Sequence, residues 1–395
     1  MSERTALTRR SALLSGAGLG FTLLASRSGA EQAAFGDRKL VVLVLRGAMD
    51  GLSFMPPLAD PDYPALRGEI AIAPNQALKL DGQFGLHPKL TKVHELAGMG
   101  QARFAPAAAI PQRIRSHFEA QDLLETGGAQ LYAASTGWLN RALQVAQRRQ
   151  AIRALSVGGE TPLILRGPVQ PDSWSPGGKL NANSGRVATT LQDLYAKDPL
   201  LGPALASGLK TEAMADALNG GAPLRGNDVK AFAATAAKFL VAPGGPSIAV
   251  LSLDGFDTHA RQGAANGLLA SRLQILDDVV DGLRQGLGPA WSKAVVVAAT
   301  EFGRTARING TGGTDHGTAS TVLVAGGALK AGAILGDWPT LQQAKLFENR
   351  DLAPTLDVRS VFKTVLAEHM GLPRRDLDLA VFPNSEGAPY LAGLV

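Results

Sequence analysis

Lys39-Leu40-Val41-Val42-Leu43-Val44-Leu45, followed at once by Arg46-Gly47-Ala48-Met49-Asp50-Gly51, decides the fold class of this chain. An apolar run without alternation reads as a strand buried on both faces, as in a parallel sheet covered by helices. The pattern recurs. Residues 247–253 lead into Asp254-Gly255-Phe256-Asp257-Thr258-His259, and residues 294–299 lead into Thr300-Glu301-Phe302-Gly303-Arg304. A fourth run, 321–325, follows Asp315-His316-Gly317. Between the second and third runs, Leu269, Leu273, Leu276, Val279, Val280 and Leu283 fall at helical spacing over 267–287. Strand, helix, strand predicts an α/β fold with a mostly parallel central sheet sandwiched by helices, in one domain over residues 38–392. Residues 137–245, broken by Gly177-Gly178, Gly220-Gly221 and Gly244-Gly245, read as an irregular insertion or crossover layer, with helices over 186–201 and 229–240. A last helix is expected over 357–369.

The N-terminal thirty residues have a different character. Arg4, Arg9 and Arg10 precede an apolar, glycine-rich stretch over 12–25, and Ser28, Gly29 and Ala30 follow it. Thr8-Arg9-Arg10-Ser11-Ala12-Leu13-Leu14 resembles the twin-arginine export consensus, so residues 1–30 are expected to be a signal for export of folded protein. The stretch is shorter than the roughly 20 apolar residues that span a bilayer, and no later segment is a candidate membrane anchor. The expected location is periplasmic or secreted, with the twin-arginine translocase as a partner during export. The 395-residue chain carries a net charge of +5. Residues 1–30 hold four Arg and one Glu, which leaves 35 Lys plus Arg against 33 Asp plus Glu in the remainder. That near-balance gives no footprint for nucleic acid. The chain has no cysteine, which excludes disulfides, thiolate metal sites and cysteine nucleophiles.

The polar clusters after the apolar runs carry the chemistry. In a parallel α/β sheet the carboxyl ends of the strands line one edge, where ligands bind. Asp50, Asp257, His259 and Glu301 follow three of the runs, and Asp315 and His316 lie in a loop returning to the same edge. Oxygen and imidazole donors of this kind suit one or two divalent ions (Zn, Mn, Mg or Ca). A cation would also relieve the repulsion among the gathered carboxylates. Asp254 is an alternative to Asp257, or an outer partner of a ligating imidazole. A second dense cluster, Arg113-Ile114-Arg115-Ser116-His117-Phe118-Glu119, opens a helix. Ser116 reads either as an N-cap completed by Glu119 or as a nucleophilic or metal-bridging hydroxyl, with Arg113 or Arg115 on an oxyanion. His117 reads as a ligand or a general acid. Arg304 either holds substrate oxygens or forms a salt bridge. His87, His94 and His369 read as surface or helix histidines. Trp138, Trp174 and Trp338 either line a sugar or lipid site or pack in the core.

Five blocks carry a resemblance, in order along the chain: Arg46 to Gly51, Arg115 to Asp122, Phe256 to His259, Thr300 to Thr305 and Gly313 to Gly317, with Asp357-Val358-Arg359-Ser360-Val361 near the end. Together they resemble a large family of exported bacterial proteins of unknown function, DUF1501, itself similar to the alkaline phosphatase and sulfatase superfamily. The resemblance implies an alkaline phosphatase-like sheet with a site at its carboxyl edge, often holding two metals. It implies that Asp50 is the first-strand ligand, that Asp257 and His259 hold one ion, and that His316 is the last imidazole ligand. Glu301 stands where an Asp is usual, and Ser116 falls at the nucleophile position. The usual Asp-His pair is replaced by Glu301-Phe302, so the missing imidazole comes from His117 or is replaced by Asp315. The implied function is an exported metal-dependent hydrolase of small phosphate or sulfate esters. A non-catalytic metal-binding protein of the same fold, serving an envelope partner, is the alternative.

Overall fold

The structure is a computed structural model and describes residues 37–150, 152–175, 184–199, 201–220 and 228–395. The expected export signal over 1–30 lies outside the described residues. Eight strands form the central sheet: β1 (Lys39–Leu45), β2 (Ala102–Ala109), β3 (Ala154–Val157), β4 (Asp172–Trp174), β5 (Ile248–Leu253), β6 (Ala294–Thr300), β7 (Ser320–Ala325) and β8 (Leu356–Asp357). Their order across the sheet is β8-β2-β7-β6-β1-β5-β3-β4. β1 pairs in parallel with both β5 and β6, and β3 pairs in parallel with β4 and β5. Only β7 runs against its neighbours β2 and β6. The sheet is therefore mixed but mostly parallel.

β1 shows why its sequence has no alternation. Leu40, Val42 and Val44 point into one apolar layer, with Trp138, Phe362 and Phe382. Val41, Leu43 and Leu45 point into the other, with Phe239, Leu273, Leu276 and Val280. Helices cover both faces, so every side chain of β1 is buried, Lys39 included. The helices α1 (Gly51–Phe54), α2 (Tyr63–Arg67), α3 (His117–Thr126), α4 (Trp138–Gln147), α5 (Val229–Val241), α6 (Leu268–Leu287) and α7 (Val358–Thr364) are those that bear on the site and the core. α5 and α6 pack closely together on one face, and the glycines of α6 let them approach: a Cβ on Gly286 would stand 2.2 Å from the Ala234 carbonyl oxygen.

Segment 137–245 is the stretch expected as an irregular insertion or crossover layer. It supplies β3 and β4 to one side of the sheet, and the helices Ser184–Tyr195 and Leu201–Leu218 precede α5. Strands of three and four residues are too short to show a period. The expected helix over 357–369 is α7 followed by a wider π-type turn, Val365–His369. Trp138 and Trp174 are core residues, and Trp338 packs edge-on against Phe84. His87 and His369 are buried, not at the surface. Among the described residues, no helix is long and apolar enough to cross a membrane.

His369 has a consequence for stability. Its Nε2 donates to the Lys39 carbonyl at 2.9 Å. Burial, reinforced by the charge of Arg38 and only partly opposed by that bond, pushes the imidazole down to about 4. An unfolded histidine titrates near 6.5. Between those values the unfolded chain binds a proton that the folded chain refuses, so stability falls as pH falls through this window. The full loss from this residue is about 3 kcal/mol. His369→Gln, which keeps a donor but does not titrate, should flatten that part of the curve in urea unfolding between pH 7 and pH 4. Equal pH slopes in the two proteins would count against the assignment.

Candidate metal centre

The carboxyl edge is assembled from five separate segments. β1 runs out toward Asp50, β5 toward Asp257 and His259, and β6 toward Glu301 and Arg304. Because β7 is antiparallel, the residues before it, Asp315 and His316, lie at that same edge. α3 begins there with His117. Two glycines let the Glu301 and His316 loops cross. Gly303 N–H donates to the Thr318 carbonyl at 3.0 Å and Gly317 N–H to the Gly303 carbonyl at 2.8 Å. A Cβ on Gly303 would stand 1.7 Å from the Ala319 carbonyl oxygen, and one on Gly317 would stand 2.4 Å from Arg304 backbone. No larger residue fits either position without moving the backbone.

At the crossing, three imidazoles and one carboxylate converge. His316 Nε2 is 3.0 Å from His117 Nε2 and 2.9 Å from His259 Nε2. Asp257 Oδ1 is 3.3 Å from His316 Nε2 and 3.1 Å from His259 Nε2, and its Oδ2 is 3.4 Å from His117 Nε2. The other ring nitrogen of each histidine faces an acceptor. His117 Nδ1 is 2.8 Å from Glu301 Oε1, His316 Nδ1 is 2.7 Å from the Arg115 carbonyl, and His259 Nδ1 is 3.3 Å from Asp315 Oδ1. Carbonyls and carboxylates only accept, so each Nδ1 carries the proton and donates. A ring left neutral would present its lone pair at Nε2. Three such lone pairs and an anion at these distances would repel unless a cation lay among them. Ligands held tetrahedrally about 2.0–2.1 Å from zinc stand about 3.3 Å apart, close to the spacings here. His117, Asp257 and His316 form a possible metal site, and His259 Nε2 stands beside two of them, His316 and Asp257.

The surrounding groups tune these donors. The hydrogen bond that His117 donates to Glu301 holds its pKa above the usual imidazole value, against burial. Burial lowers that of His316. Burial would raise the Asp257 pKa, but Arg304, donating to Oδ1 at 2.6 Å, outweighs it and keeps the carboxylate ionised.

Several residues expected as ligands or catalysts take other places. Glu301 is fully buried. Its Oε1 accepts from Gly47 N–H at 2.9 Å, His117 Nδ1 and Gln121 Nε2 at 3.1 Å, and its Oε2 accepts from Thr300 Oγ1 at 2.9 Å. It orients His117 instead of offering an open oxygen. Asp315 plays the same part for His259 and also accepts from Asn309 at 3.1 Å. Arg304 is buried and spends its nitrogens on Asp257 and on the hydroxyl and carbonyl of Thr314, the salt-bridge arrangement of the two expected for it. Arg115 donates to Asp351 at 2.7 Å and to Glu348 at 2.6 Å, and its carbonyl fixes His316. Asp50 is drawn away from the cluster. It caps α1 through Leu52 N–H, and its Oδ2 accepts from Arg67, Ser53 at 3.0 Å and Gln262 at 2.6 Å. Ser116 is the N-cap residue of α3, yet its hydroxyl makes no capping bond. Asp254 is exposed.

Three participants were not singled out from the sequence. Gln121 stands four residues after His117 and shares its helix face, a relation the spacing itself contains. Arg67 and Gln262 have no sequence signal, because only the tertiary fold brings them to Asp50. Carboxylates that orient ligating imidazoles typically contribute 10- to 100-fold to metal affinity. Glu301→Gln should therefore weaken metal binding by about that factor, as read by competition with a chelator. Unchanged affinity would show that the Glu301–His117 contact is only structural.

The fold and the site define the class of this protein: a mostly parallel α/β sheet between helices, with a possible His/Asp metal site on its carboxyl edge. Residues 37–379 match the family model described as "Protein of unknown function (DUF1501)", and the chain belongs to that family. No curated protein matches it significantly. Among solved structures, the chain is similar to the phosphonate monoester hydrolase of Agrobacterium radiobacter, at 13% identity over 85% of this chain and 74% of that one, with a TM-score of 0.39. It is similar to the C-terminal periplasmic domain of EcEptC from Escherichia coli in complex with Zn, at 9% identity over 88% and 87%, TM-score 0.40. It is also similar to alkaline phosphatase from the Antarctic bacterium TAB5, at 13% identity over 73% and 90%, TM-score 0.35.

Proposed function

We propose that this chain is an exported metal-dependent hydrolase of small phosphate or sulfate esters, working in the periplasm or outside the cell after passage through the twin-arginine translocase. The observation that carries the reading is the convergence of His117, His259 and His316 Nε2 with the Asp257 carboxylate, each imidazole fixed through its Nδ1. Three neutral nitrogens and one carboxylate suit zinc or a similar divalent ion. When bound, such an ion polarises an ester oxygen and acidifies water. His259 and Asp257 are each more than two-fifths exposed, so the cluster is open to a ligand from solvent. Ser116 stands beside His117 with its hydroxyl free of capping duty, at the N-terminal end of α3. In this reading Ser116 would attack the ester and displace its alcohol, with the positive end of the helix favouring the developing anion.

The test is turnover of aryl phosphate and aryl sulfate esters by the purified protein with added Zn²⁺, Mn²⁺ or Ca²⁺. Metal-dependent turnover that falls in Ser116→Ala supports the reading. No metal-dependent turnover, with wild type and Ser116→Ala alike, overturns it. A second reading, a metal-binding envelope protein without catalysis, draws on the arginines. The guanidinium groups of Arg304 and Arg115 are both engaged by carboxylates and do not face a substrate anion. Stoichiometric metal without turnover of any ester, together with a co-purifying envelope protein, distinguishes it.

A further inference from the structure

A centre with two ions needs carboxylates for both. The sequence offers Asp50 and Asp257 at adjacent strand ends, and in the structure each has its own arginine. Arg304 donates to Asp257 Oδ1 but leaves Oδ2 turned toward His117. Arg67 does more. It is fully buried beside Asp50, donates to Oδ2 through Nη2, and anchors Nη1 on the carbonyls of Thr305 at 3.2 Å and Ala306 at 3.4 Å. Oδ2 also accepts from Ser53 Oγ and Gln262 Nε2, and Oδ1 accepts from Leu52 N–H. Glu301, the other carboxylate that could serve a second ion, is buried and carries three donors on Oε1 and one on Oε2.

We infer that this site is built for a single divalent ion, and that the guanidinium of Arg67 stands as the permanent cation of Asp50. The inference rests on the reading in which the histidine cluster binds metal. A guanidinium stays charged at any physiological pH and cannot be displaced as a loosely held ion can. A second divalent ion approaching Asp50 would meet that fixed positive charge, and three donors already occupy Oδ2. A buried chain joins the two aspartates. Gln262 donates to Asp50, its Oε1 accepts from Thr258 and Thr314 at 2.8 Å each, and Thr314 Oγ1 accepts from Arg304 Nε at 3.2 Å. Arg67, Asp50, Arg304 and Asp257 thus form a neutral frame of alternating charge, beneath a cluster that is left to bind one ion.

Full-length protein stripped with chelator and titrated with zinc, followed by calorimetry and native mass spectrometry, tests this. The wild type should take up one zinc. The double variant D50N/R67M, which removes both charges together, should also take up one, with the wild-type affinity. H316A should bind it about a hundredfold or more less tightly. Two ions in the wild type, or loss of the ion in D50N/R67M while its circular dichroism stays native, would overturn the inference and leave metal binding intact. If the double variant does not fold, the wild-type stoichiometry still decides. No zinc bound by the wild type would overturn the underlying reading itself.

Discussion

His316→Ala should weaken metal binding about a hundredfold or more while leaving the fold in place. His316 Nε2 touches all three other donors, so its removal opens the centre of the cluster. Apparent binding energies of closed zinc sites run to about 10–16 kcal/mol across four ligands. One ligand therefore corresponds to roughly 3 kcal/mol, or about a hundredfold or more in affinity. The side chain is partly exposed, and its backbone neighbours Gly317 and Arg304 keep their own bonds, so unfolding should be little affected in the metal-free protein. Chelator competition and thermal melting of the stripped protein separate the two effects. A variant that binds zinc as tightly as the wild type would remove His316 from the site.

Arg67→Met should cost about 3–5 kcal/mol of folding stability, because it strips the cation from a buried carboxylate. The Asp50 carboxylate has essentially no contact with solvent. Burial pushes its pKa up, and Arg67, with the bonds from Gln262 and Ser53, more than reverses this. Without the guanidinium, Asp50 must either take up a proton on folding or remain as an uncompensated charge. Removing both partners leaves no orphan charge, so D50N/R67M should recover much of the loss. Urea unfolding of the single and double variants at one pH measures this directly. Equal destabilisation of R67M and D50N/R67M would mean that packing, and not the charge pair, is what Arg67 supplies.

Much of the sheet was legible because burial on both faces leaves a plain mark. β1, β5, β6 and β7 are each a continuous apolar run, and each touches a polar cluster that reaches the site. β2 left no such mark although it is interior. Its sequence, Ala102-Arg103-Phe104-Ala105-Pro106-Ala107-Ala108-Ala109, is rich in alanine and contains a proline. Pro106 is tolerated because the register with β7 shifts between Ala105 and Ala108, where a bulge removes the need for its missing N–H. The positions of the four converging residues were also legible, since His117 opens a helix, Asp257 and His259 follow β5, and His316 precedes the antiparallel β7 at the carboxyl edge. What the sequence did not contain was the division between donors and their supports. Glu301 and Asp315 look like ligands from their position, and only the crossing of the Gly303 and Gly317 segments turns them toward the Nδ1 atoms of His117 and His259. Asp50 looks like a ligand until Arg67, seventeen residues on, is folded back against it.

The central claim is that three imidazoles and Asp257 hold a metal. Anomalous diffraction at the zinc edge, from crystals of zinc-loaded protein, tests it most directly. One peak about 2.0–2.2 Å from Nε2 of His117, His259 and His316 and from an Asp257 oxygen is the predicted result. Full zinc loading with no peak at that position, or with a peak on Asp50 in place of Arg67, would contradict it.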